Sequence, residues 1–301
     1  MVKISRIISH KNKFSTAFTL IELLVVISII GLLSSVVIAS VTAARKQGMI
    51  AAGQKFDAHT HAAFYDDLVL SWDFDRDTAG SGIVQDLSGN GNNLSLTGAT
   101  LDGPPTPNPF KTGKVISIGP SKTANLPAPM KKPPAGKFSV SFWLYPVLAA
   151  GETAEATEYL SYFPLSSTKG NTWKFSYAVG AAGFNFKYIP LLPTNQRTVS
   201  IGQLAFNTWH HIVAVCNTTN NKIGVYVNGK SVGTPTGVTD CGFNNTDLTV
   251  GLRLVSVGKP YYLDNVRIYG ESLPLSFIQE QYLAGKPKFE ALAKNMKDQK
   301  N

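Results

Sequence analysis

Residues 17–26 read Ala17-Phe18-Thr19-Leu20-Ile21-Glu22-Leu23-Leu24-Val25-Val26 and open an apolar run that continues to Ala44. From Phe18 to Ala44 the one ionisable residue is Glu22. A helix across lipid needs about 20 apolar residues at 1.5 Å each, and this run is long enough. Glu22 is the anomaly. A carboxylate in hydrocarbon costs roughly 2.5–3.5 kcal/mol on insertion scales unless something neutralises it, so a plain anchor has no use for one. Lys3, Arg6, Lys11 and Lys13 precede the run and favour a cytoplasmic N-terminus. A secretory signal has an apolar stretch of only about 7–15 residues before its cleavage site, and this stretch is longer.

Outward from this run the helical pattern persists. Residues 45–67 are rich in Ala, Lys and Gln, lack Pro, and keep Met49, Ala52, Phe56 and Ala63 at helical spacing. The spacing predicts one helix from Phe18 to Asp67, with Gly48 and Gly53 as weak points. His59 and His61 are two residues apart, so they fall on different helix faces and make a poor metal pair.

From Leu68 the period becomes two. In Phe138-Ser-Val-Ser-Phe-Trp-Leu-Tyr145, Phe138, Val140, Phe142 and Leu144 share one face. Trp209–Cys216, Ile223–Asn228 and Tyr261–Tyr269 read as further strands, and Asn228-Gly229 suits a tight type I′ turn. Pro274 to Ala284 reads as a short helix, with Gly285 just past its end. Many short strands with Gly, Pro and Asn turns predict an antiparallel sandwich. The expected division is a leader at 1–17, an apolar assembly helix at 18–67, a β-sandwich at 68–285 and a basic tail at 286–301.

Composition agrees with a globular body. Hydrophobic residues are 44% and charged residues 16%, and about 230 residues follow the helix, enough for a large core. The net charge of +9 falls to +5 without the four basic residues of the leader. Lys286, Lys288, Lys294, Lys297 and Lys300 crowd the last residues with Phe289 as the one aromatic among them, so the tail reads as a solvated terminus rather than a nucleic-acid site.

The string Phe18-Thr-Leu-Ile-Glu-Leu-Leu-Val-Val26, behind its basic leader, resembles the class III signal and N-terminal helix of type IV pilins and pseudopilins. The resemblance implies a membrane peptidase that cuts between Ala17 and Phe18, with Ala17 where the family prefers Gly, and N-methylation of the new terminus. It implies that Glu22 pairs with the terminal amine of a neighbouring subunit as helices leave the inner membrane, where the precursor is a single-pass protein, for an extracellular filament. Such a pair removes two unpaired charges from a low-dielectric medium together.

A second resemblance covers most of residues 68–285. Leu70-Ser-Trp-Asp-Phe-Asp75, Asp86-Leu-Ser-Gly-Asn-Gly-Asn-Asn93, Phe138–Trp143, Trp209–Ala214, Val225–Gly229 and Leu263-Asp-Asn-Val-Arg-Ile-Tyr269 together look like the concanavalin A-like, laminin G-like jelly roll. That family binds carbohydrates, glycosaminoglycans or proteins, often with calcium, and has purely structural members. Fold alone does not give the ligand.

Local chemistry is sparse. Asp86, Asn90, Asn92 and Asn93 lie in a Gly-interrupted loop able to converge oxygens, and strand alternation sets Asp264 on the face of Val266 and Ile268. The resemblance implies that an Asp of the early loop and one on this late strand share a calcium ion, with Asp86, Asn90, Asn92 and Asp264 as ligands. The alternative is an Asx-turn loop, with Asp264 accepting backbone N–H groups. Glu152, Glu155 and Glu158 fall in an Ala/Thr/Gly-rich stretch that reads as solvated loop, not as the paired strand carboxylates of a glycan hydrolase, so no enzyme is expected. His210 and His211 have no nucleophile pattern beside them and read as fold residues. Cys216 and Cys241 form an even pair that favours a disulfide outside the cytoplasm, against two buried thiols.

These readings combine into a structural subunit of a type IV pilus-like filament: a homo-oligomer built by prepilin peptidase and inner-membrane machinery, with an adhesive head for a glycan or surface protein. The alternatives are a tethered carbohydrate-binding module that does not polymerise, and a minor pseudopilin of a secretion or DNA-uptake system.

Overall fold

The computed structural model describes residues 19–64, 66–76, 80–102, 113–125, 136–164, 172–179, 183–189, 197–234, 241, 250–256 and 259–298. Ala17 and Phe18 lie outside them. The chain divides into two compact units, 1–48 and 49–301.

The first unit carries most of helix α1, Leu20–Ala63, which ends a few residues before the expected Asp67. Its 19 residues Leu20–Ile38 are long and apolar enough to cross a membrane, and none of that window is buried. Leu, Ile and Val stand exposed on all sides, so the helix has no polar face to turn to water. The Ser28, Ser35 and Ser40 hydroxyls donate back to the carbonyls of Leu24, Leu32 and Val37, which satisfies their polar groups inside the helix.

The second unit is the sandwich. Its strands begin with β1 (Leu68–Trp72), β2 (Ile83–Val84), β3 (Leu94–Ser95), β4 (Ala99–Asp102), β5 (Val115–Ile118) and β6 (Thr123–Asn125). Then come β7 (Lys137–Pro146), β8 (Thr157–Pro164), β9 (Thr172–Ala178), β10 (Gly183–Ile189) and β11 (Arg197–Gly202). The remainder are β12 (His210–Asn217), β13 (Lys222–Val227), β14 (Lys230–Gly233), β15 (Val250–Val255) and β16 (Tyr261–Tyr269), followed by helix α2 (Leu275–Asp298). One sheet, sheet A, runs β14-β13-β12-β7-β16-β5-β4 with β1 also on β16. The other, sheet B, runs β11-β10-β9-β8-β15-β6-β3-β2. All the strand pairings among the described residues are antiparallel, so the expected jelly-roll sandwich is the fold.

Alternation decides what fills the middle. Phe138, Val140, Phe142 and Leu144 of β7 face Trp173, Phe175, Phe184 and Phe186 of β9 and β10 in one core cluster. Trp72 is fully buried there, and its indole N–H donates to the Asn92 carbonyl at 2.9 Å. Asn228 and Gly229 adopt φ of 51° and 76°, the left-handed pair the β13–β14 turn requires.

The outer face of sheet A is covered by α2. Leu273, Phe277 and Ile278 pack on Val213, Val215 and Tyr269, while Tyr282 stacks on Trp143 at 5.9 Å. Gly285 does not end this helix. It lies so close to Trp143 that a Cβ would approach the ring to 2.7 Å, so the position needs glycine for contact, and α2 continues through residues expected to form a tail. Beneath α2, His211 is buried; its Nε2 lies 3.0 Å from Ser141 Oγ. Ser141 also donates to Gln281, whose amide donates to the Tyr269 hydroxyl at 3.0 Å.

Cys216 and Cys241 are joined in a disulfide across a sequence separation of 25 residues. Closing a loop of that size restricts the unfolded chain by roughly 3 kcal/mol. Replacing both cysteines with serine is expected to lower the unfolding free energy of the full chain in detergent by about that amount, read from denaturant melts; an unchanged midpoint would show that the bond contributes nothing.

Candidate functional site

Two regions carry chemistry: the first turn of α1 and the sandwich loops and faces. At the first turn, Glu22 Oε2 accepts the Thr19 backbone N–H at 2.9 Å and the Thr19 hydroxyl at 2.8 Å. Thr19 Oγ1 in turn accepts the Glu22 N–H at 3.3 Å. This reciprocal capping box satisfies orphan donors at a helix start. Its signature, Thr19-x-x-Glu22, stands in the sequence beside the family motif and carries a role for Glu22 that the motif alone does not suggest. The cleavage pair Ala17 and Phe18 lies outside the described residues.

The Asp86 loop is tied to β1. Asp86 Oδ1 accepts the N–H groups of Ser71 and Ser88 at 3.0 Å each, while Oδ2 accepts the Ser88 hydroxyl at 2.7 Å and the Asn92 N–H at 2.9 Å. The Asn90 amide donates to the Leu68 and Val69 carbonyls, and the Asn92 amide to Val69. With these four donors the carboxylate clamps its loop to β1, as in the Asx-turn alternative.

Asp264 is placed differently from the alternation. The β16–β7 register shifts between Asp264 and Arg267, and Asn265 has φ of 49°. This bulge resets the phase: Leu263 and Val266, three apart, both join the core, while Asp264 lies opposite Trp143, whose side chain belongs to the outer aromatic cluster. Asp264 is fully buried and accepts the Asn265 N–H at 2.7 Å. Among the described residues no group of three or more His, Cys, Asp and Glu side chains is arranged to hold a metal.

The glutamates are each matched with lysine. Glu152 and Glu155 lie 3.1 and 3.9 Å from Lys259, and Glu158, on strand β8 rather than in the expected loop, lies 3.1 Å from Lys174. The Glu152 carboxyl is held below its ordinary range by the Lys259 hydrogen bond and the Ala149 N–H. Acids stabilised in their charged form make poor general acids.

His210 and His211 face opposite sides of β12. His210 Nε2 bonds the Ala205 carbonyl at 2.8 Å, and burial lowers its pKa. Burial, aided by the positive charge of Arg267, pulls His211 down to about 3.

Two predictions follow from these contacts. Asp86→Ala strands several donors and is expected to cost at least about 2 kcal/mol in denaturant melts, with no recovery on adding calcium; recovery would restore the metal reading. Below its unfolded pKa near 6.5, the unfolded chain takes a proton on His211 that the folded chain refuses, so stability falls with pH. Wild type is expected to lose roughly 2 kcal/mol between pH 7 and pH 5 from this residue, and His211→Gln to show a correspondingly flatter profile.

Similarities to known proteins accord with these features. The family model described as "Concanavalin A-like lectin/glucanases superfamily" matches residues 119–279, and that of the "Prokaryotic N-terminal methylation motif" matches residues 12–38. No curated protein matches the chain. Among solved structures, the chain is similar to the receptor-binding domain of botulinum neurotoxin C/D mosaic serotype, at 13% identity and TM-score 0.54, covering 72% of this chain and 51% of that one. It is also similar to the binding domain of Paraclostridial Mosquitocidal Protein 1, at 19% identity and TM-score 0.54, covering 73% and 52%. A third is the botulinum neurotoxin serotype D ligand-binding domain in complex with N-acetylneuraminic acid, at 13% identity and TM-score 0.54, covering 74% and 52%. The chain thus spans about half the length of these structures, and at such identities the likeness establishes the fold alone.

Proposed function

Given that the chain belongs to the concanavalin A-like lectin/glucanase superfamily and carries a prokaryotic N-terminal methylation motif, we propose that it is a subunit of a type IV pilus-like surface filament with an adhesive head. One observation carries the reading: the α1 window Leu20–Ile38 is wholly unburied, with Glu22 as its one acid. Each fully exposed Leu, Ile or Val forgoes roughly 1.5–3 kcal/mol of burial, so this helix requires lipid before assembly and neighbouring copies after it. In the filament, Glu22 pairs with the amine that cleavage before Phe18 creates, which sets the register between subunits. The laminin G-like sandwich then faces outward and binds a glycan or a surface protein; that part of the reading draws on a fold whose solved neighbours are binding domains. Glu152, Glu155 and Glu158 are each ion-paired with a lysine, which lends no support to a catalytic reading.

The capping box favours a second reading. Thr19 satisfies Glu22 within one chain, so an isolated anchor can keep its acid without a partner amine, as in a tethered binding module that does not polymerise.

Glu22→Ala separates the two. For a filament subunit, the variant is expected to keep its Cys216–Cys241 disulfide and its membrane location but to vanish from sheared surface material. In wild type that material should yield a peptide beginning with N-methylated Phe18 by mass spectrometry. Normal filaments from Glu22→Ala would remove the role given to Glu22. An uncleaved Met1 leader confined to membranes would favour the tethered module.

A further inference from the structure

His211 of β12 lies beneath α2 on the outer face of sheet A, 2% exposed. Its ring centre is 5.1 Å from that of Trp143 on β7 and 6.4 Å from that of Tyr282 on α2. Hydrogen bonds fix its protonation state. The Gln281 amide nitrogen donates to the Tyr269 hydroxyl at 3.0 Å, so Gln281 Oε1 is left to accept the Ser141 hydroxyl proton at 3.4 Å. Ser141 Oγ, its proton committed, accepts from His211 Nε2 at 3.0 Å. The bare nitrogen is then Nδ1, which is buried without a hydrogen-bond partner among the described residues.

A second proton on His211 would create a buried donor with no acceptor and a buried charge with no counter-charge beside it. The surrounding elements do not relieve this. β16 presents Arg267, whose positive charge opposes protonation, and the neutral hydroxyl of Tyr269. The carboxylate of β16, Asp264, lies opposite Trp143, with β7 between its strand and β12. α2 presents Tyr282, with Lys286 Nζ 6.0 Å from its ring, and β13 presents Tyr226 opposite Val213. α2 is the removable wall of this site. Its Phe277 and Ile278 pack on Val213, Val215 and Tyr269, whereas the main core between the sheets takes no residue from α2. Local opening of such a peripheral element costs less than unfolding the domain.

We propose that α2 is an acid-released latch: protonation of His211 undocks it from sheet A and uncovers Trp143, Val213 and Val215. Burial and Arg267 hold the docked ring at about 3, whereas in the released form it meets water and charges below its ordinary value near 6.5. Falling pH therefore favours release across that interval and has little effect above it. Phe277 leaves with α2, and it is one of the two rings that hold Phe64, the other being Tyr269. Acid thus also loosens the joint at which the chain enters the sandwich. The latch is independent of whether the chain polymerises.

The test is hydrogen exchange of the full chain in detergent at pH 7 and pH 5, each corrected for the intrinsic exchange rate. In wild type, amides of residues 279–286 are expected to be protected about tenfold less than those of β9 and β10 at both pH values, the mark of an opening smaller than global unfolding. Their protection is expected to fall a further roughly 20-fold from pH 7 to pH 5, the factor by which a group of pKa near 6.5 populates the released form. His211→Gln, which keeps a neutral polar side chain, is expected to change less than about threefold over the same interval. Equal protection of α2 and of β9 and β10 would mean that α2 leaves only when the domain unfolds, and would overturn the latch. An α2 that opens readily but shows no fall at pH 5 would overturn the part given to His211, as would the same fall in His211→Gln. The first two of these outcomes are read in wild type, so they decide even where His211→Gln does not fold.

Discussion

Leu20 to Ile38 present apolar side chains in every direction, and none of the described residues buries them. Water is an unfavourable solvent for such a surface, and the helix has no polar stripe with which to lie on a protein or a membrane interface. Such a surface is suited to an apolar surround such as lipid. Glu22 is compatible with that environment because its carboxylate is drawn into the first turn by Thr19, and the serines of the helix are likewise turned back onto carbonyls. The same atoms are compatible with a bilayer and, in the filament proposed above, with a helical bundle in which a neighbour's amine would offer Glu22 a stronger partner than a hydroxyl.

The sandwich follows a separate logic, in which the departures from regular strands are informative. β16 would be buried uniformly on one side if its alternation ran unbroken. The left-handed Asn265 inserts one residue, keeps Leu263 and Val266 both in the core, and turns Asp264 to the side of Trp143. A similar shift between Glu158 and Leu160 places Tyr159 and Leu160 together in the core of β8. Bulges change which residues share a face without changing composition, and local pattern does not display them.

That distinction explains what could be read from the chain before its structure. The unbroken run to Ala44, the two-residue period of Phe138–Tyr145, the Asn228-Gly229 turn and the change from helix to strands are local, and each appears in the fold near its expected place. The end of α2 did not follow its local signal. Gly285 has the look of a helix terminator, but its reason for being glycine is Trp143, more than a hundred residues earlier in the chain. The donors of Asp86, namely Ser71, Ser88 and Asn92, include one from β1, and together they make it a clamp between a loop and that strand. Neighbours distant in sequence decide such cases.

The asymmetry of the two outer faces follows from where the chain places its C-terminal helix. By laying α2 on sheet A, the fold buries Val213, Val215 and Tyr269 in a second apolar layer and closes that face to ligands. Sheet B receives no such cover from α2, and the positions alternating with its inward aromatics are Ser, Thr, Asn, Lys and Glu, of which Ser161, Ser176 and Asn185 are buried. On this sheet Lys174 lies directly beside Lys187, and Glu158 of the neighbouring strand lies 3.1 Å from Lys174.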